Sequence, residues 1–374
     1  MTRRVAILGC TGSIGSQTLD VIDALNRDEM RFDVVALTAH QNAEALAAAQ
    51  RRWPGAKAAL SSENEAALIE FATGDCDLVV HAVLGAAGLR ASFAAAEAGK
   101  HLALANKESL VVAGPLLMDL ARRHDATVLP IDSEHSAIFQ AMLAGRRQDV
   151  ERVILTASGG PFRTWPAEQI HSATVEQALD HPTWNMGGAI TIDSATLFNK
   201  AMEFLEAVRL FDLPPEQIEV VIHPQSIVHS MVEFVDGSTI AQLSPPDMKL
   251  PIAYAMTYPE RLRGEAKRMD WTSAVDLNFE PPDEVKFPAL RLAREAAAEG
   301  KCLPAVLNAA KEVATGQFLA GKIAFGRISE VVERVMTDAM TKPGEGDWST
   351  LDGLLEVDAR ARLRAQTCCT EAAG

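Results

Sequence analysis

A glycine-rich turn between an apolar segment and a helical pattern constrains the fold more than any other feature. Residues 4–8 have the pattern of a short buried strand and are apolar from Val5 onward, residues 9–15 carry glycine at every third position, and residues 16–25 have helical periodicity. A strand, such a turn and a helix in this order are typical of a dinucleotide-binding unit, whose helix N-terminus meets the cofactor phosphates. The GxxGxxG spacing varies from the usual GxGxxG, so a turn without a ligand is the alternative. Gly9 would allow a tight turn, Gly12 would allow close approach of a pyrophosphate, and Gly15 would allow the helix to pack closely on the strand.

The end of the second predicted strand indicates which dinucleotide the turn would bind. Residues 32–37 form that strand, and no acidic residue follows them before Glu44. An NAD site usually places a carboxylate here for the ribose 2′-hydroxyl, whereas polar, non-acidic residues do not repel the 2′-phosphate of NADP. We therefore expect NADP, contacted by His40, Gln41 and Asn42; the alternative is that these residues only turn the chain.

Alternating strand-like and helical segments predict the fold class. Further strand-like segments occur at residues 58–60, 77–84, 101–105 and 126–131, with helical patterns between them. This alternation predicts an α/β protein with an N-terminal Rossmann-like, doubly wound parallel sheet.

The rest of the chain predicts a central α+β catalytic domain with a second sheet and a small C-terminal helical domain. Strand-like runs at 227–235 and 239–243 flank Asp236-Gly237, which favours a hairpin, and helical patterns begin at residue 287. The predicted domains are an NADPH-binding domain at 1–131, a catalytic and dimerisation domain at 132–257, a linker at 258–283 and a helical domain at 284–374.

Two carboxylates follow the last predicted strand of the first sheet. Asp132 and Glu134 are two residues apart, so on an extended chain they face the same side at the sheet edge where ligands bind. Oxygen ligands of this kind suit Mg²⁺ or Mn²⁺. The alternative is that Asp132 and Ser133 only cap the helix predicted at 136–144.

A third carboxylate lies in a second polar segment. Residues 190–192 predict a strand that runs into a helix capped by Asp193 or Ser194. On that helix Asn199 and Lys200 lie four and three residues before Glu203, on one face. Ser194, Asn199 and Lys200 would suit a phosphate, and Glu203 would complete a metal site. The alternative is a surface salt bridge between Lys200 and Glu203.

Three shorter segments add candidates. Lys107, after a strand, would meet an anionic substrate, and its neighbour Asn106 the nicotinamide side of a cofactor. Small residues at 157–160 would let backbone amides face an anion. Residues 181–188, framed by proline and glycines, predict a flap that closes on substrate. The alternatives are a solvated lysine, a plain turn and a packed loop tryptophan.

Charge and cysteine content restrict the function classes. The net charge of −15 argues against general binding to nucleic acid or to anionic membranes. No apolar run reaches the length of about 18 residues that a membrane span needs, and the first residues lack the apolar core of a signal peptide. Five cysteines, scattered and without metal-ligand spacing, favour a reduced, cytoplasmic protein.

The motifs also occur in an order that resembles a known family. They are Gly9-Cys10-Thr11-Gly12-Ser13-Ile14-Gly15, Ala105-Asn106-Lys107-Glu108, Asp132-Ser133-Glu134-His135, Ser158-Gly159-Gly160-Pro161-Phe162, His181-Pro182, Trp184, Met186-Gly187, Asp193-Ser194-Ala195-Thr196, Asn199-Lys200, Glu203 and His223-Pro224-Gln225-Ser226. Over nearly its whole length the chain is similar to the 1-deoxy-D-xylulose 5-phosphate reductoisomerase family. Relatives often carry glycine and lysine where this chain has His40 and Gln41.

The resemblance implies a role for each matching residue. It implies a divalent metal on Asp132, Glu134 and Glu203, and substrate contacts around it from Lys107, Ser133 and Glu134. It implies a phosphate site of Ser158, Ser194, Asn199 and Lys200, closed by His181, with Trp184 over the substrate backbone. It implies NADPH contacts from Thr11, Gly12, Ser13, Ile14, Asn106, Glu108 and Gly187.

The activity that the resemblance implies is the rearrangement of 1-deoxy-D-xylulose 5-phosphate, a small phosphorylated sugar, and its reduction by NADPH to 2-C-methyl-D-erythritol 4-phosphate. The predicted second sheet offers a dimer surface, so we expect a homodimer. Two other hypotheses remain. An NADP-dependent aldehyde or semialdehyde dehydrogenase would need no metal, although Cys302 lies in no nucleophile motif. An NADP-binding regulatory module would bind cofactor without turnover and would leave the three carboxylates unexplained.

Overall fold

A computed structural model describes residues 2–184, 186–341 and 347–371. The chain forms two compact units. Unit 1 comprises Met1–Leu110, Gly114–Gln140 and Asp247–Asp270; unit 2 comprises Val111–Ala113, Ala141–Pro246 and Trp271–Gly374. The four-domain division drawn from the sequence stays a prediction beside this one. Within the described ranges, no helix is both long enough and apolar enough to cross a membrane.

The elements follow one another in a regular alternation at first and become mainly helical later. The strands are β1 Arg3–Leu8, β2 Phe32–Ala39, β3 Lys57–Leu60, β4 Leu78–His81, β5 His101–Leu104, β6 Val128–Pro130, β7 Val150–Ala157, β8 Ile218–Ile222, β9 Val228–Phe234 and β10 Thr239–Leu243. The helices are α1 Ser13–Leu25, α2 Ala43–Arg52, α3 Ala66–Thr73, α4 Leu89–Glu97, α5 Lys107–Arg123, α6 Ser133–Met142, α7 Ala167–Ile170, α8 Val175–Leu179, α9 Gly188–Ala195, α10 Phe198–Leu210, α11 Lys249–Thr257, α12 Ala289–Glu299, α13 Leu303–Leu319, α14 Arg327–Thr341 and α15 Leu351–Glu371.

Unit 1 is built on a parallel sheet of six strands in the order β3-β2-β1-β4-β5-β6. This confirms the predicted Rossmann-like, doubly wound sheet. Its order reverses between β1 and β4, and ligands of such sheets bind at that point, beyond the carboxyl ends of the strands. Fully buried Ile7, Leu37 and Val80 form the core, joined by Ile252 and Met256 from α11. The apolar strands therefore fix a rigid edge from which the loops of the site project.

Unit 2 contains the second sheet, in the order β10-β9-β7-β8. β7 pairs parallel with β8 and antiparallel with β9, and β9 pairs antiparallel with β10, so the predicted second sheet is present and is mixed. The predicted hairpin at Asp236-Gly237 is confirmed, because Gly237 has a φ of +84° and the Phe234 amide donates to the Ser238 carbonyl at 2.9 Å. Helices α12 to α15 pack together at the C-terminal end, with α13 against α14 and α15.

Two local predictions are wrong. Residues 190–192, predicted as a strand, lie within α9, so Ser194 is near the end of a helix and not at its start. The next helix, α10, begins at Phe198 after Leu197, which has a left-handed φ of +61°. β-branched residues favour strands only weakly, and the buried environment of α9 overrides that preference. Glu134 likewise lies in the first turn of α6 and not on an extended strand.

Candidate active site

The turn between β1 and α1 has the geometry that its glycines predict. Gly9 has a φ of +86°, and a Cβ there would lie 2.7 Å from the Ala82 carbonyl oxygen. A Cβ on Gly15 would overlap the Gly9 carbonyl oxygen, which confirms its close packing. A Cβ on Gly12 would meet that oxygen at an ordinary 3.6 Å. Because Gly12 is also the N-cap of α1, the helix begins with main-chain amides that have no partner within the helix. The turn can therefore offer main-chain donors to an anion.

Asn106 holds the loop that follows β4. Its buried side-chain amide donates to the carbonyls of Val83 at 2.8 Å and Gly85 at 3.0 Å. Its Oδ1 accepts the Ser109 amide at 3.0 Å and so caps α5. Nδ2 also lies 2.8 Å from the Glu108 carboxylate. The side chain of Asn106 is thus engaged within unit 1, and its contact with a cofactor stays a prediction.

His81, at the end of β4, is a buried residue that sequence reasoning missed. Its Nε2 donates to the Gly88 carbonyl at 2.9 Å, and burial lowers its pKa to about 4. The ring is therefore neutral at pH 7 and fixes the far end of the 83–88 loop. The sequence signal was a histidine inside an otherwise apolar strand, a pattern that also fits a purely structural residue.

The three residues expected at the NADP 2′-phosphate lie together after β2. His40, Gln41 and Asn42 are exposed. Asn42 Oδ1 accepts the Ala45 amide at 2.9 Å and caps α2, so this residue does turn the chain into a helix. Their contact with a cofactor stays a prediction.

The acidic pair of unit 1 is organised by the start of α6. Asp132 Oδ1 accepts the amides of Glu134 at 3.1 Å and His135 at 3.2 Å, and so caps the helix. Its Oδ2 accepts from Lys107 Nζ at 2.6 Å. One oxygen of Asp132 and one of Glu134 lie within 4.8 Å of each other, and the Ser133 hydroxyl donates to Glu134. Asp132 therefore caps α6, as the alternative interpretation predicts, and it also forms a close acidic pair with Glu134.

Glu203 in unit 2 is almost wholly buried, at 1% exposure. Asn199 Nδ2 donates to its Oε1 at 2.6 Å, and Lys200, 4% exposed, pairs with its Oε2. The i,i+3 and i,i+4 spacings are confirmed, but the ion pair is buried and does not lie on the surface. Because burying two charges is expensive and adds little net stability, a functional role explains this pair better than stability does.

The flap segment contacts the small-residue turn after β7. His181 Nδ1 accepts the amides of Thr183 at 3.1 Å and Trp184 at 2.9 Å, which leaves the proton on Nε2, 3.0 Å from Ser158 Oγ. Burial lowers the pKa of His181, so the ring is neutral at pH 7. Gly187 is the N-cap of α9, and flap residue Asn185 lies outside the described residues.

Asp193, expected as a helix cap, has a different role. Its carboxylate accepts from Lys311 Nζ at 2.8 Å and from Thr315 Oγ1 at 3.2 Å, both on α13. The sequence signal was a lysine within a largely apolar helical segment, and that pattern did not identify its partner. His223 orders the turn before β9, since its Nε2 accepts the amides of Ile227 and Val228 at 3.2 and 3.1 Å.

Comparison with known proteins identifies the family. Family models described as 1-deoxy-D-xylulose 5-phosphate reductoisomerase match residues 5–73 and 61–114, the corresponding C-terminal domain matches 128–211, and the DXP reductoisomerase C-terminal domain matches 243–364. Curated proteins named 1-deoxy-D-xylulose 5-phosphate reductoisomerase include that of Afipia carboxidovorans, 48% identical over 99% of this chain and 95% of its own length, and that of Cupriavidus metallidurans, 48% identical over 100% of both.

Solved structures agree. The Zymomonas mobilis enzyme in complex with NADPH has a TM-score of 0.89 and 41% identity and covers 99% of both chains. A DOX-P reductoisomerase in complex with NADPH, fosmidomycin and magnesium has a TM-score of 0.91 and 39% identity and covers 98% of both chains. The chain therefore belongs to the 1-deoxy-D-xylulose 5-phosphate reductoisomerase family.

Proposed function

We propose that the chain converts 1-deoxy-D-xylulose 5-phosphate to 2-C-methyl-D-erythritol 4-phosphate in isoprenoid precursor biosynthesis by the non-mevalonate pathway, using NADPH and a divalent metal. The observation that carries the proposal is family membership over nearly the full length of the chain, at 48% identity to curated relatives. Relatives of known structure bind NADPH and magnesium.

NADPH binds at the switch point of the unit 1 sheet. Thr11, Gly12, Ser13 and Ile14 surround its pyrophosphate, where the amides at the start of α1 lack helical partners. His40, Gln41 and Asn42 meet the 2′-phosphate. Asn106, Glu108 and Gly187 contact the nicotinamide half. When bound, NADPH supplies the hydride that reduces the aldehyde product of the rearrangement.

A divalent metal, Mg²⁺ or Mn²⁺, binds Asp132, Glu134 and Glu203. The residues fit such an ion: all three donors are carboxylates, the ligand type that hard cations prefer, and Asp132 and Glu134 already place oxygens within 4.8 Å of each other. When bound, the metal acts as a Lewis acid on the carbonyl and hydroxyl oxygens of the substrate.

The remaining residues bind and orient the sugar phosphate. Ser158, Ser194, Asn199 and Lys200 hold the phosphate, His181 donates to it from the flap, and Trp184 covers the carbon chain and excludes water. Lys107 and Ser133 sit beside the acidic pair, where a cation and a hydroxyl stabilise charge that develops on the substrate oxygens. A carbon–carbon bond breaks and re-forms to give a branched aldehyde, so phosphate grip, carboxylates and nicotinamide must act on one bound substrate.

The chain acts as a cytoplasmic homodimer in this proposal. Strand β10 is at the edge of the unit 2 sheet, and its Ile240 is exposed. An edge strand with an exposed apolar residue is a ready pairing surface for a second copy. Light scattering of the pure protein measures its oligomeric state directly. A monomeric mass at the concentration used in the activity assay would contradict the homodimer.

One assay tests the activity. Pure protein is mixed with NADPH, Mg²⁺ or Mn²⁺ and 1-deoxy-D-xylulose 5-phosphate, and NADPH absorbance is followed with and without a chelator. We expect oxidation that needs the sugar phosphate, stops with chelator and resumes when excess metal is added. Oxidation that persists with chelator would favour a metal-free dehydrogenase, and NADPH binding without oxidation would favour a regulatory module.

A further inference from the structure

We propose that Asp193 and Lys311 are positioning residues that set the geometry of the substrate phosphate subsite. The inference rests on the proposed function, since Ser158, His181 and Ser194 are assigned to that subsite there. Asp193 lies in a family motif in which the resemblance assigns a role only to Ser194, and Lys311 lies outside those motifs.

The position of α9 is fixed by its contacts with α13. This helix has eight residues, which is too short to be stable on its own, so tertiary contacts must decide where it lies. Asp193 is 7% exposed and Lys311 6% exposed, and Nζ lies 2.8 Å from Oδ2. Thr315, one turn along α13 from Lys311, binds the other carboxylate oxygen at 3.2 Å. One face of α13 therefore fixes α9 through both oxygens of a single carboxylate.

The main chain of Ser194 is held by Asp193 on one side and by the turn at Gly160 on the other. Asp193 precedes it directly, so the ion pair fixes its main chain. A Cβ on Gly160 would lie 2.7 Å from the Ser194 carbonyl oxygen and 3.1 Å from Ala195 Cα. The turn that follows Ser158 thus packs on the backbone of Ser194. Any shift of α9 must move Ser194 relative to Ser158, and Ser158 Oγ is 3.0 Å from His181 Nε2.

Helix α13, which carries Lys311 and Thr315, is itself held by other C-terminal helices. Glu312 on α13 accepts from Asn308 at 3.0 Å and pairs with Arg362 of α15 at 2.7 Å. Arg362 also pairs with Asp358 at 2.6 Å. Of these contacts, the Glu312–Arg362 ion pair joins α13 to α15, and α13 also packs against α14. The C-terminal helices, which carry no proposed site residue, therefore determine where Ser194 lies.

Charge explains why such a link is specific. An apolar contact between two helices tolerates small shifts, whereas separating a buried carboxylate from its cation removes most of the compensation for its desolvation. The pair therefore favours one placement of α9. A displacement of about 1 Å at a substrate contact is enough to cost a large factor in catalytic efficiency.

The test compares Lys311→Met with Lys301→Met, which breaks the exposed Lys301–Glu299 pair just before α13 and serves as the matched control. Lys311→Arg keeps the charge and serves as the rescue variant. For each protein we measure kcat and KM for 1-deoxy-D-xylulose 5-phosphate, Ki for inorganic phosphate as a competing anion, and Kd for NADPH.

For Lys311→Met we expect KM and the phosphate Ki to rise together by about tenfold, with kcat falling less than about threefold and NADPH Kd unchanged. Lys301→Met should behave like wild type, and Lys311→Arg should recover most of the phosphate affinity. A purely structural role would lower the fraction of active enzyme, and so reduce kcat while KM and Ki stayed constant. That pattern, or no change at all, overturns the inference.

Two further outcomes are separable. If Lys311→Met does not fold, shown by loss of NADPH binding, Thr315→Val removes only the 3.2 Å contact and should raise KM and Ki in parallel by about threefold; unchanged constants overturn the inference. If wild type itself fails to oxidise NADPH with the sugar phosphate, the proposed function is what fails.

Discussion

The turn between β1 and α1 and the corner between α9 and α10 are proposed to bind phosphate groups, but they are built differently. The turn in unit 1 uses main-chain atoms, with Gly9 and Gly15 placed where a Cβ would collide with backbone. The corner in unit 2 uses buried charged side chains, Lys200 with Glu203 and Asp193 with Lys311. A main-chain site depends on close approach and tolerates changes of charge nearby. A site of buried charges tolerates little change in charge and depends on partners far along the chain.

The largest expected effect tests the buried charge in unit 2. Glu203→Gln keeps the side-chain shape and an acceptor for Asn199 but removes the negative charge. We expect kcat to fall by at least about 10³-fold at saturating metal, NADPH and sugar phosphate, with the fold retained. Steady-state NADPH oxidation measures kcat, and circular dichroism checks the fold.

Glu219→Gln, at an exposed position of β8, is the matched control and should leave kcat unchanged. If the Glu203 variant keeps near-normal turnover, the metal assignment is wrong, and the distinction between the two regions loses its main support.

The second prediction tests the main-chain site with two glycines of the same motif, Gly12 at the N-cap of α1 and Gly15 in the first turn of that helix. Gly15→Ala places a Cβ onto the Gly9 carbonyl and should weaken NADPH binding by about 100-fold while also lowering the free energy of unfolding. Gly12→Ala meets only an ordinary contact at 3.6 Å in the folded chain, so it should leave stability unchanged and weaken NADPH by about tenfold, because the Cβ enters the space of the pyrophosphate. Fluorescence titration with NADPH and urea denaturation separate the two effects. Equal stability losses in the two variants would contradict the assigned roles.

The same contrast explains what the sequence could predict. Glycine spacing indicates where backbone must approach backbone, so the β1–α1 turn was predictable from local pattern alone. The alternation of strands and helices likewise predicted a parallel, doubly wound sheet, although not its strand order. The hairpin at Asp236-Gly237 was predictable for the same reason. The face shared by Asn199, Lys200 and Glu203 followed from helical spacing, but its burial did not.

The unpredicted parts depend on partners remote along the chain. Asp193 and Lys311 are 118 residues apart, and no local pattern connects them. The strand predicted at 190–192 is wrong because the tertiary environment, which makes the segment helical, outweighs the weak strand preference of its three β-branched residues. At Asp132 the residue was identified for partly the wrong reason: the acid pair forms at a helix start, where the capping alternative also holds.

The third prediction concerns the exception in unit 1, a buried ionisable side chain behind a main-chain site. The His81 pKa is lowered to about 4, against 6.5 in an unfolded chain, so between these values the unfolded state binds more protons. The free energy of unfolding is therefore highest above about pH 6.5. It falls by up to about 3 kcal/mol as the pH falls towards 4, because the unfolded chain takes up a proton that the buried ring does not. Urea denaturation from pH 7 to 4 measures it.

His81→Gln keeps a donor for the Gly88 carbonyl and should flatten this part of the pH dependence, whereas His124→Gln, at an exposed position of unit 1, should not. Identical slopes for wild type and the His81 variant would contradict the assignment.

The smallest expected effect concerns the end of β2. It tests whether a side chain there, Asn42, contacts the 2′-phosphate of NADPH, although the rest of this cofactor site is formed by main chain. Asn42→Ala removes the cap of α2 and should lower the free energy of unfolding by about 1 kcal/mol. Asn42→Asp keeps the capping acceptor but adds a negative charge, so it should preserve stability and weaken NADPH about fivefold while NADH binding changes little. The ratio of the two dissociation constants is the measurement, since only NADPH carries the 2′-phosphate. If Asn42→Asp leaves that ratio unchanged, Asn42 serves the helix alone, and this end of the cofactor site is also set by main chain.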